Sequence, residues 1–308
     1  MNYELVFNQI LILFFLLIVG YVCRKLNIIT QPLSKGITDF VLKVTLPAMI
    51  IESMQMSFSF DSLLKSGKIF IISFFIYLFT FFLALFVPKF LGSKSNEVGV
   101  FRFALVFSNT VFMGYPVVRA VFGEEGIFYT AIYNLPFNFL VFTLGIMYLI
   151  QKDDEKIKID KKMILNPGII SVFIGFLIFI FSIKLPYAVS GTLKLLGDVT
   201  TPLSMIVIGS LLAKTKLKTI FGNVRVYLIT ALRLLFIPFI VWLIMRNFID
   251  DYLLLGIPIL ISAMPVAANS AILAEEYGGN AELSSQIVFI STLFSVFTIP
   301  IIVKLFIA

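Results

Sequence analysis

The sequence has no histidine and only one cysteine, Cys23. Without histidine it lacks the commonest proton shuttle and metal ligand, which excludes most intramembrane metalloprotease chemistry. A single cysteine cannot form an internal disulfide or a thiolate metal site. Charged residues are also scarce, at 13% of the chain. We therefore expect neither a metal centre nor any other cofactor.

Apolar residues are abundant instead, at 60% of 308 residues, and the mean hydropathy is +1.05. A soluble domain of this size could not bury that much apolar surface, so the composition predicts a multi-pass, all-α membrane protein. The first apolar segment lacks a preceding basic region and an A-x-A-like site, which favours a retained helix over a signal peptide. The net charge of +7 lies in loops between apolar segments, which indicates basic cytoplasmic loops and no nucleic-acid partner.

Windows of about twenty apolar residues predict ten transmembrane helices. The charged stretch 151–163 then forms a cytoplasmic linker between two five-helix halves, 1–150 and 164–308. Most lysines and arginines fall in the first, third, fifth and seventh loops, so the positive-inside rule places both termini outside the cytoplasm, in a cell membrane. The predicted spans are roughly 5–23, 37–58, 69–91, 100–122, 126–150, 164–183, 187–213, 224–246, 252–275 and 283–307.

The two halves resemble each other when the chain is shifted by 155 residues. Matches of glycine and proline are informative because each answers a specific backbone demand. Since each half has five helices, an odd number, the second half enters the membrane in the opposite sense, which predicts two inverted repeats. The matched pairs include Gly20 with Gly175, Gly36 with Gly191, Pro47 with Pro202, Gly67 with Gly222 and Gly123 with Gly278.

Two predicted spans, the fourth and the ninth, are interrupted by polar and helix-breaking residues, at 108–116 and 263–270. Paired interruptions of this kind point to a transporter's binding site, because broken helices in a membrane are tolerated beside protein or a water-filled cavity. We expect the breaks to cross, with the amides of Asn109 and Asn269 and the half-helix N-termini binding a carboxylate. The amides could alternatively satisfy backbone groups that proline leaves free. The candidate substrate-binding residues here are Asn109, Thr110, Gly114, Tyr115, Pro116, Met264, Pro265, Asn269 and Ser270.

Further polar residues lie within predicted spans. Asn134 and Asn138 share a helix face in the fifth span and are candidates for either substrate contact or helix–helix hydrogen bonding. Glu52, Asp198 and Lys43 are the candidate coupling residues, with Glu52 or Asp198 as proton carrier, although Glu52 could simply reach solvent. Arg233 is expected to pair with a carboxylate or to attract an anion.

At these motifs the sequence resembles the auxin efflux carrier family, whose bacterial members are often called malonate or dicarboxylate transporters. The resemblance covers essentially the whole chain, although Ser108 stands where the family usually has glycine. It implies a fold like those of bile-acid transporters and sodium/proton antiporters. It also implies a scaffold of helices 1, 2, 6 and 7, often dimeric, and a transport domain of helices 3–5 and 8–10. The motifs are Ser-Asn-Thr-x3-Gly-x-Pro at 108–116, Met-Pro-x-Ala-Ala-Asn at 264–269, Leu46-Pro47 and Thr201-Pro202.

The sequence therefore predicts a secondary transporter of small organic anions, such as malonate or auxin-like acids, with elevator-type alternating access. A membrane sensor that binds an organic anion without transporting it is the alternative. A channel is disfavoured by the inverted repeats. An enzyme is not expected, since only aspartyl or Ser–Lys chemistry remains without histidine, and Leu196-Gly197-Asp198 lacks the earlier glycine of a G-x-G-D site.

Overall fold

The computed structural model describes residues 3–149, 167–213 and 223–307, which are almost entirely helical. The predicted linker 151–163 lies outside the described residues. The helices are α1 (Tyr3–Lys25), α2 (Gln31–Phe40), α3 (Leu46–Ser53), α4 (Phe60–Phe90), α5 (Ser95–Val106), α6 (Tyr115–Leu140), α7 (Ile146–Leu149), α8 (Pro167–Ile180), α9 (Tyr187–Leu212), α10 (Val224–Ala231), α11 (Ile237–Met245), α12 (Tyr252–Ser262), α13 (Ser270–Glu276) and α14 (Ala281–Ile302).

Several of these helices can cross a membrane. Among the described residues, five helical segments qualify by length and composition, and the pair Thr110–Leu140 and Thr143–Leu149, bent by 46°, would be a sixth if it forms one span. The protein is thus all-helical in its described part and has a multi-pass membrane character. The remaining predicted spans contain shorter helices, including α8 and α12. The five segments are Phe7–Lys25, Phe60–Phe90, Tyr187–Leu212, Val224–Met245 and Ala281–Ile307.

Wide, π-helical turns interrupt the regular helices at several points. Such turns contain one more residue than an α-helical turn and often occur at functional sites. Those at Val41–Thr45 and Leu232–Phe236 each lead directly into a helix with proline in its first turn. The others are Thr110–Gly114, Val141–Gly145 and Val303–Ile307.

The helices pack into two groups. In the first group, α1 packs on α9, α9 on α3, and α3 on α8. The second group contains α4 to α7 and α10 to α14, in which α4 packs on α5 and α6, and α12 packs on α6 and α11. Gly20 and Gly209 allow α1 and α9 to come close. A Cβ at Gly20 would overlap the backbone of Ile206, and one at Gly209 would overlap the backbone of Leu17. The first group comprises predicted spans 1, 2, 6 and 7.

The matched glycines Gly123 and Gly278 both adopt positive φ angles, of 70° and 75°. This conformation is freely available to glycine and strained for residues with a Cβ. Gly123 breaks the helical geometry inside α6, between the fourth and fifth predicted spans, and Gly278 lies between α13 and α14. The sequence match at these positions thus has a common backbone cause.

Candidate functional site

The first break separates α5 from the wide turn Thr110–Gly114. Phe107 ends α5 in an extended conformation, and the chain re-enters helical geometry after Asn109. The N–H of Gly114 donates to the carbonyl of Asn109 over 2.9 Å, which closes the turn. Pro116 lies in the first turn of α6, directly after the wide turn. Local sequence therefore explains both the break and the restart of the helix.

The second break, between α12 and α13, lies directly against the first. Asn109 N–H donates to the Pro265 carbonyl over 2.7 Å, and Ala267 N–H donates to the Phe107 carbonyl over 3.1 Å. These bonds flank Ser108 and Val266, which form an isolated antiparallel bridge. The hydroxyl of Ser291, on α14, also accepts from Val266 N–H over 3.2 Å. Backbone N–H and C=O groups at each break are therefore hydrogen-bonded by the other break, and one N–H is bonded by α14.

A cavity of about 250 Å³ lies beside this crossing, between the two helix groups. The first group lines it through α2, α3 and the wide turn between them, and through the start of α8. The second group supplies both breaks and the end of α6. The lining residues with polar side chains are Thr38, Lys43, Ser108, Asn109, Thr110, Asn138 and Asn269.

Two lining residues have buried polar atoms without a hydrogen-bond partner in the described part of the chain. Asn109 is 2% exposed and its Nδ2 has no acceptor, and Thr110 is 0% exposed with an unpartnered hydroxyl. A buried polar atom without a partner costs roughly 1–3 kcal/mol, so such atoms call for an explanation. At a cavity wall, a bound molecule could supply the partner.

The structure thus brings five of the predicted binding and coupling residues to one cavity. These are Asn109, Thr110, Asn138, Asn269 and Lys43. The others do not line it. Tyr115 and Asn134 are buried beside each other. Gly114 packs near Ile261, Ser270 shares a hydrogen bond of 2.9 Å with Ser284, and Pro116, Met264 and Pro265 lie within the helix restart and the breaks.

Lys43 and Asp198 do not pair with each other. Lys43 Nζ lies 3.3 Å from Asp39, one turn earlier. Asp198, on α9, lies 2.6 Å from Arg119, on α6, and Arg119 also binds Glu124 over 2.6 Å. Glu52 interacts electrostatically with this cluster. Two of the three candidate coupling residues therefore lie at a contact between the two helix groups, away from the cavity lining.

Two further ion pairs link the helix starts on either side of the crossing. Arg225, at the start of α10, binds Glu97, which accepts the Lys94 N–H at the start of α5 over 2.9 Å. Lys65, on α4, lies 2.9 Å from Asp251, which caps α12 by accepting from Leu253 and Leu254 N–H over 3.0 Å. Burial alone would raise the pKa of the Asp251 carboxyl, but hydrogen bonds from Leu254 and Lys65 lower that pKa overall.

Comparison with known proteins identifies the family of this chain. The model of the membrane transport protein family matches residues 5–162 and 155–303. The chain belongs to this family, that of the auxin efflux carriers. An uncharacterized transporter of Methanocaldococcus jannaschii is 27% identical over 96% of each chain. Another, of Methanothermobacter thermautotrophicus, is 25% identical over 93% of each chain.

A third relative is much longer than this chain. The lysosomal cholesterol signaling protein of Mus musculus is 26% identical over 96% of this chain, which corresponds to 37% of the mouse protein. Its family and its transporter-named relatives indicate that this chain is a membrane transport protein. It therefore lies in a lipid bilayer and acts on a small-molecule substrate.

Proposed function

We propose that this protein is a secondary transporter of small organic anions whose carboxylate binds at the crossing of the two breaks. The observation behind the proposal is the pair of buried, unpartnered polar atoms of Asn109 and Thr110 at the cavity wall. Asn109 Nδ2 is a donor, and its complement is an acceptor such as a carboxylate oxygen. Asn138 and Asn269 add amide groups on the same cavity.

The charges around the cavity favour an anion. Lys43 is the charged residue among the described lining residues, and the start of the α6 segment contributes positive helix-dipole charge near Thr110. The rest of the wall is apolar and includes Leu46, Phe112 and Phe137. A small carboxylate with an apolar body fits these walls and the volume of about 250 Å³.

The packing supports alternating access of the elevator type. We propose ten transmembrane helices in two inverted repeats, 1–150 and 164–308, with the first helix group as scaffold and the second as transport domain. The cavity lies between the groups, on the side of Pro167 and Gly168, next to the predicted cytoplasmic linker. With both termini outside the cytoplasm of the cell membrane, this arrangement corresponds to the inward-facing state. The scaffold would also form a homodimer.

Coupling follows from the direction of transport. For export of a monoanion, an inside-negative potential supplies ~2.3 kcal/mol per charge per 100 mV, so no co-ion is required. Import of a dicarboxylate requires a co-ion, and Glu52 or Asp198 would bind the proton. Both residues lie at the contact between the two groups, where movement would change their surroundings.

The test is flux into proteoliposomes of labelled malonate, succinate and indole acetate, with and without a pH gradient. We expect saturable flux of at least one anion, reduced about 10- to 100-fold in Asn109→Ala and Asn269→Ala, because a hydrogen bond to a charged group contributes about 1.5–3 kcal/mol. Asn247→Ala is the matched control, since Asn247 bonds within its own helix end, to Leu243. Equal flux in all three variants would refute the site.

The second candidate is a membrane sensor. The mouse relative is named a signaling protein, which favours a sensor as the second candidate. A sensor would bind an anion with an affinity that depends on Asn109 and Asn269 and would give no flux. Binding measured by isothermal titration calorimetry on the same variants separates the two functions.

A further inference from the structure

Arg233 is the most completely buried charged residue near the crossing. It lies in the wide turn Leu232–Phe236, is 2% exposed, and comes close to Tyr77 and Tyr133. Its Nη1 donates to the Leu105 carbonyl over 3.0 Å, and its Nε donates to the Met264 carbonyl over 3.2 Å. Leu105 is in the last turn of α5, and Met264 follows the end of α12. One guanidinium therefore bonds to the carbonyl ends of both first half-helices.

Among the described side chains, the charge of Arg233 is balanced without a carboxylate. Among the aspartates and glutamates whose side chains the structure describes, none has an oxygen within 4.0 Å of its nitrogens. A buried cation costs several kcal/mol unless it is compensated. A helix C-terminus has roughly half a negative charge, so two such ends together match one guanidinium. The planar guanidinium can also bond both carbonyls at once, which a lysine ammonium does less well.

The bonded carbonyls directly precede the backbone bridge between the breaks. Leu105 comes just before Phe107–Asn109, and Met264 comes just before Pro265–Ala267. The hydrogen bonds between Asn109 and Pro265, and between Ala267 and Phe107, join these two stretches. The position of Arg233 therefore fixes how the breaks lie against each other, and with them Asn109 and Asn269 at the cavity.

We propose that Arg233 is a positioning residue that clamps the two breaks together and makes their crossing suitable for an anion. Without the guanidinium, two negative helix ends would remain uncompensated close to the cavity and would repel a carboxylate. When the guanidinium is present, the amide donors and Lys43 determine the electrostatic potential at the cavity. The clamp is independent of what the protein transports, whereas the anion effect rests on the proposed function.

The clamp is tested with a cysteine pair across the bridge. In a Cys23→Ser background, Ser108→Cys and Val266→Cys occupy a non-hydrogen-bonded antiparallel pair, whose Cα atoms are about 4.5 Å apart, a separation that a disulfide spans. The measurement is disulfide yield with a membrane-permeant oxidant. We expect high yield with Arg233, a several-fold loss with Arg233→Met, and an intermediate yield with Arg233→Lys. Arg246→Met is the matched control, because the exposed Arg246 lies over Trp242, away from the crossing.

The anion effect is tested by malonate, succinate and indole acetate flux in the same Arg233 variants without the cysteine pair. We expect at least a tenfold loss with Arg233→Met and partial rescue with Arg233→Lys, which keeps the charge. Unchanged disulfide yield in Arg233→Met would overturn the clamp, as would full yield in Arg233→Lys if the Met variant cannot be recovered folded. A lower yield with full flux would overturn the anion effect. A lower yield together with no flux in the wild type would leave the clamp in place and refute the proposed transport.

Discussion

The two faces of the crossing differ at matched positions of the chain. Lys43 and Asp198 each lie four residues before a matched proline, Pro47 or Pro202. Asp198 is bonded across the two helix groups to Arg119, whereas Lys43 is bonded within its own helix to Asp39 and lines the cavity. The side with Asp198, the tied face, is therefore held by an ion pair between the two helix groups. The side with Lys43, the cavity face, borders the cavity. In the proposed alternating-access mechanism, this asymmetry represents one state, and the Arg119–Asp198 contact breaks on the way to the other.

The largest effect is expected from changing the cavity face. Lys43→Gln removes the charge nearest the proposed site and should raise the apparent KM for the transported anion about 10- to 100-fold, since bonds to charged groups contribute about 1.5–3 kcal/mol. Asp39→Asn should have the opposite sign, because it frees Lys43 from its pairing partner. Initial rates of flux against anion concentration provide the measurement. A KM unchanged in both variants would show that this face does not contact the anion.

A smaller effect is expected from breaking the tied face. Arg119→Gln or Asp198→Asn should increase the population open on that side by up to about fivefold, because partly exposed ion pairs contribute about 0.2–1 kcal/mol. Thr201→Cys, one turn beyond Asp198 and half-buried, reports the opening through its labelling rate with a thiol reagent in a Cys23→Ser background.

The charge-swapped pair Arg119→Asp with Asp198→Arg should restore the slow labelling of the parent. Glu125→Gln is the matched control, because this neighbouring exposed carboxylate is not one of the two that bind Arg119. Slow labelling in every variant would mean that the Arg119–Asp198 contact does not hold the two groups together.

Much of the crossing could be predicted from sequence because its signals are local. Pro265 lies in the second break, Gly114 and Pro116 follow directly after the first, and the breaks lie against each other in the structure. The resemblance to the auxin efflux carrier family is also confirmed, by a family model that matches residues 5–162 and 155–303. Gly123 and Gly278 could be matched because each adopts a positive φ angle, which imposes glycine at both positions.

The partners of the buried and interfacial arginines could not be predicted. Arg233 bonds to backbone carbonyls at Leu105 and Met264, and every residue has a carbonyl, so no sequence pattern marks these two. The expected partners, a carboxylate or a substrate anion, follow from side-chain chemistry alone. Arg119 and Asp198 are 79 residues apart in the chain, and only the packing of α6 against the first helix group shows that they meet.

The second break is also held by residues that the sequence did not single out. Ser291 and Ser284, both on α14, bond to Val266 and Ser270 respectively. Serines that face inward on a membrane helix have no distinctive local pattern, because the same residues elsewhere bond only to their own helix. The sequence therefore located the breaks but not the residues that support them.

The smallest effects on transport are expected at the two ion pairs that link helix starts on opposite sides of the crossing, where substitutions act mainly on stability. The Glu97 side chain is 11% exposed and that of Asp251 is 28% exposed. Glu97→Gln should therefore lower the melting temperature more than Asp251→Asn, with losses near the range of about 0.5–2 kcal/mol for helix caps. Thermal unfolding in detergent measures both, and Asp61→Asn is the control because its carboxylate is more exposed and also binds Lys65. Equal melting temperatures for the two variants would contradict this ranking.

The Asp251 pair should also give a characteristic pH dependence. Its pKa is lowered in the folded protein, so its stabilisation is fully present above the ordinary aspartate pKa of about 3.9 and is lost as the pH falls through the folded value. The difference in melting temperature between the wild type and Asp251→Asn should therefore be constant near neutral pH and shrink in acid. A difference that grew in acid would mean that the carboxylate is destabilised by its burial and that Lys65 and the two N–H groups do not compensate for it.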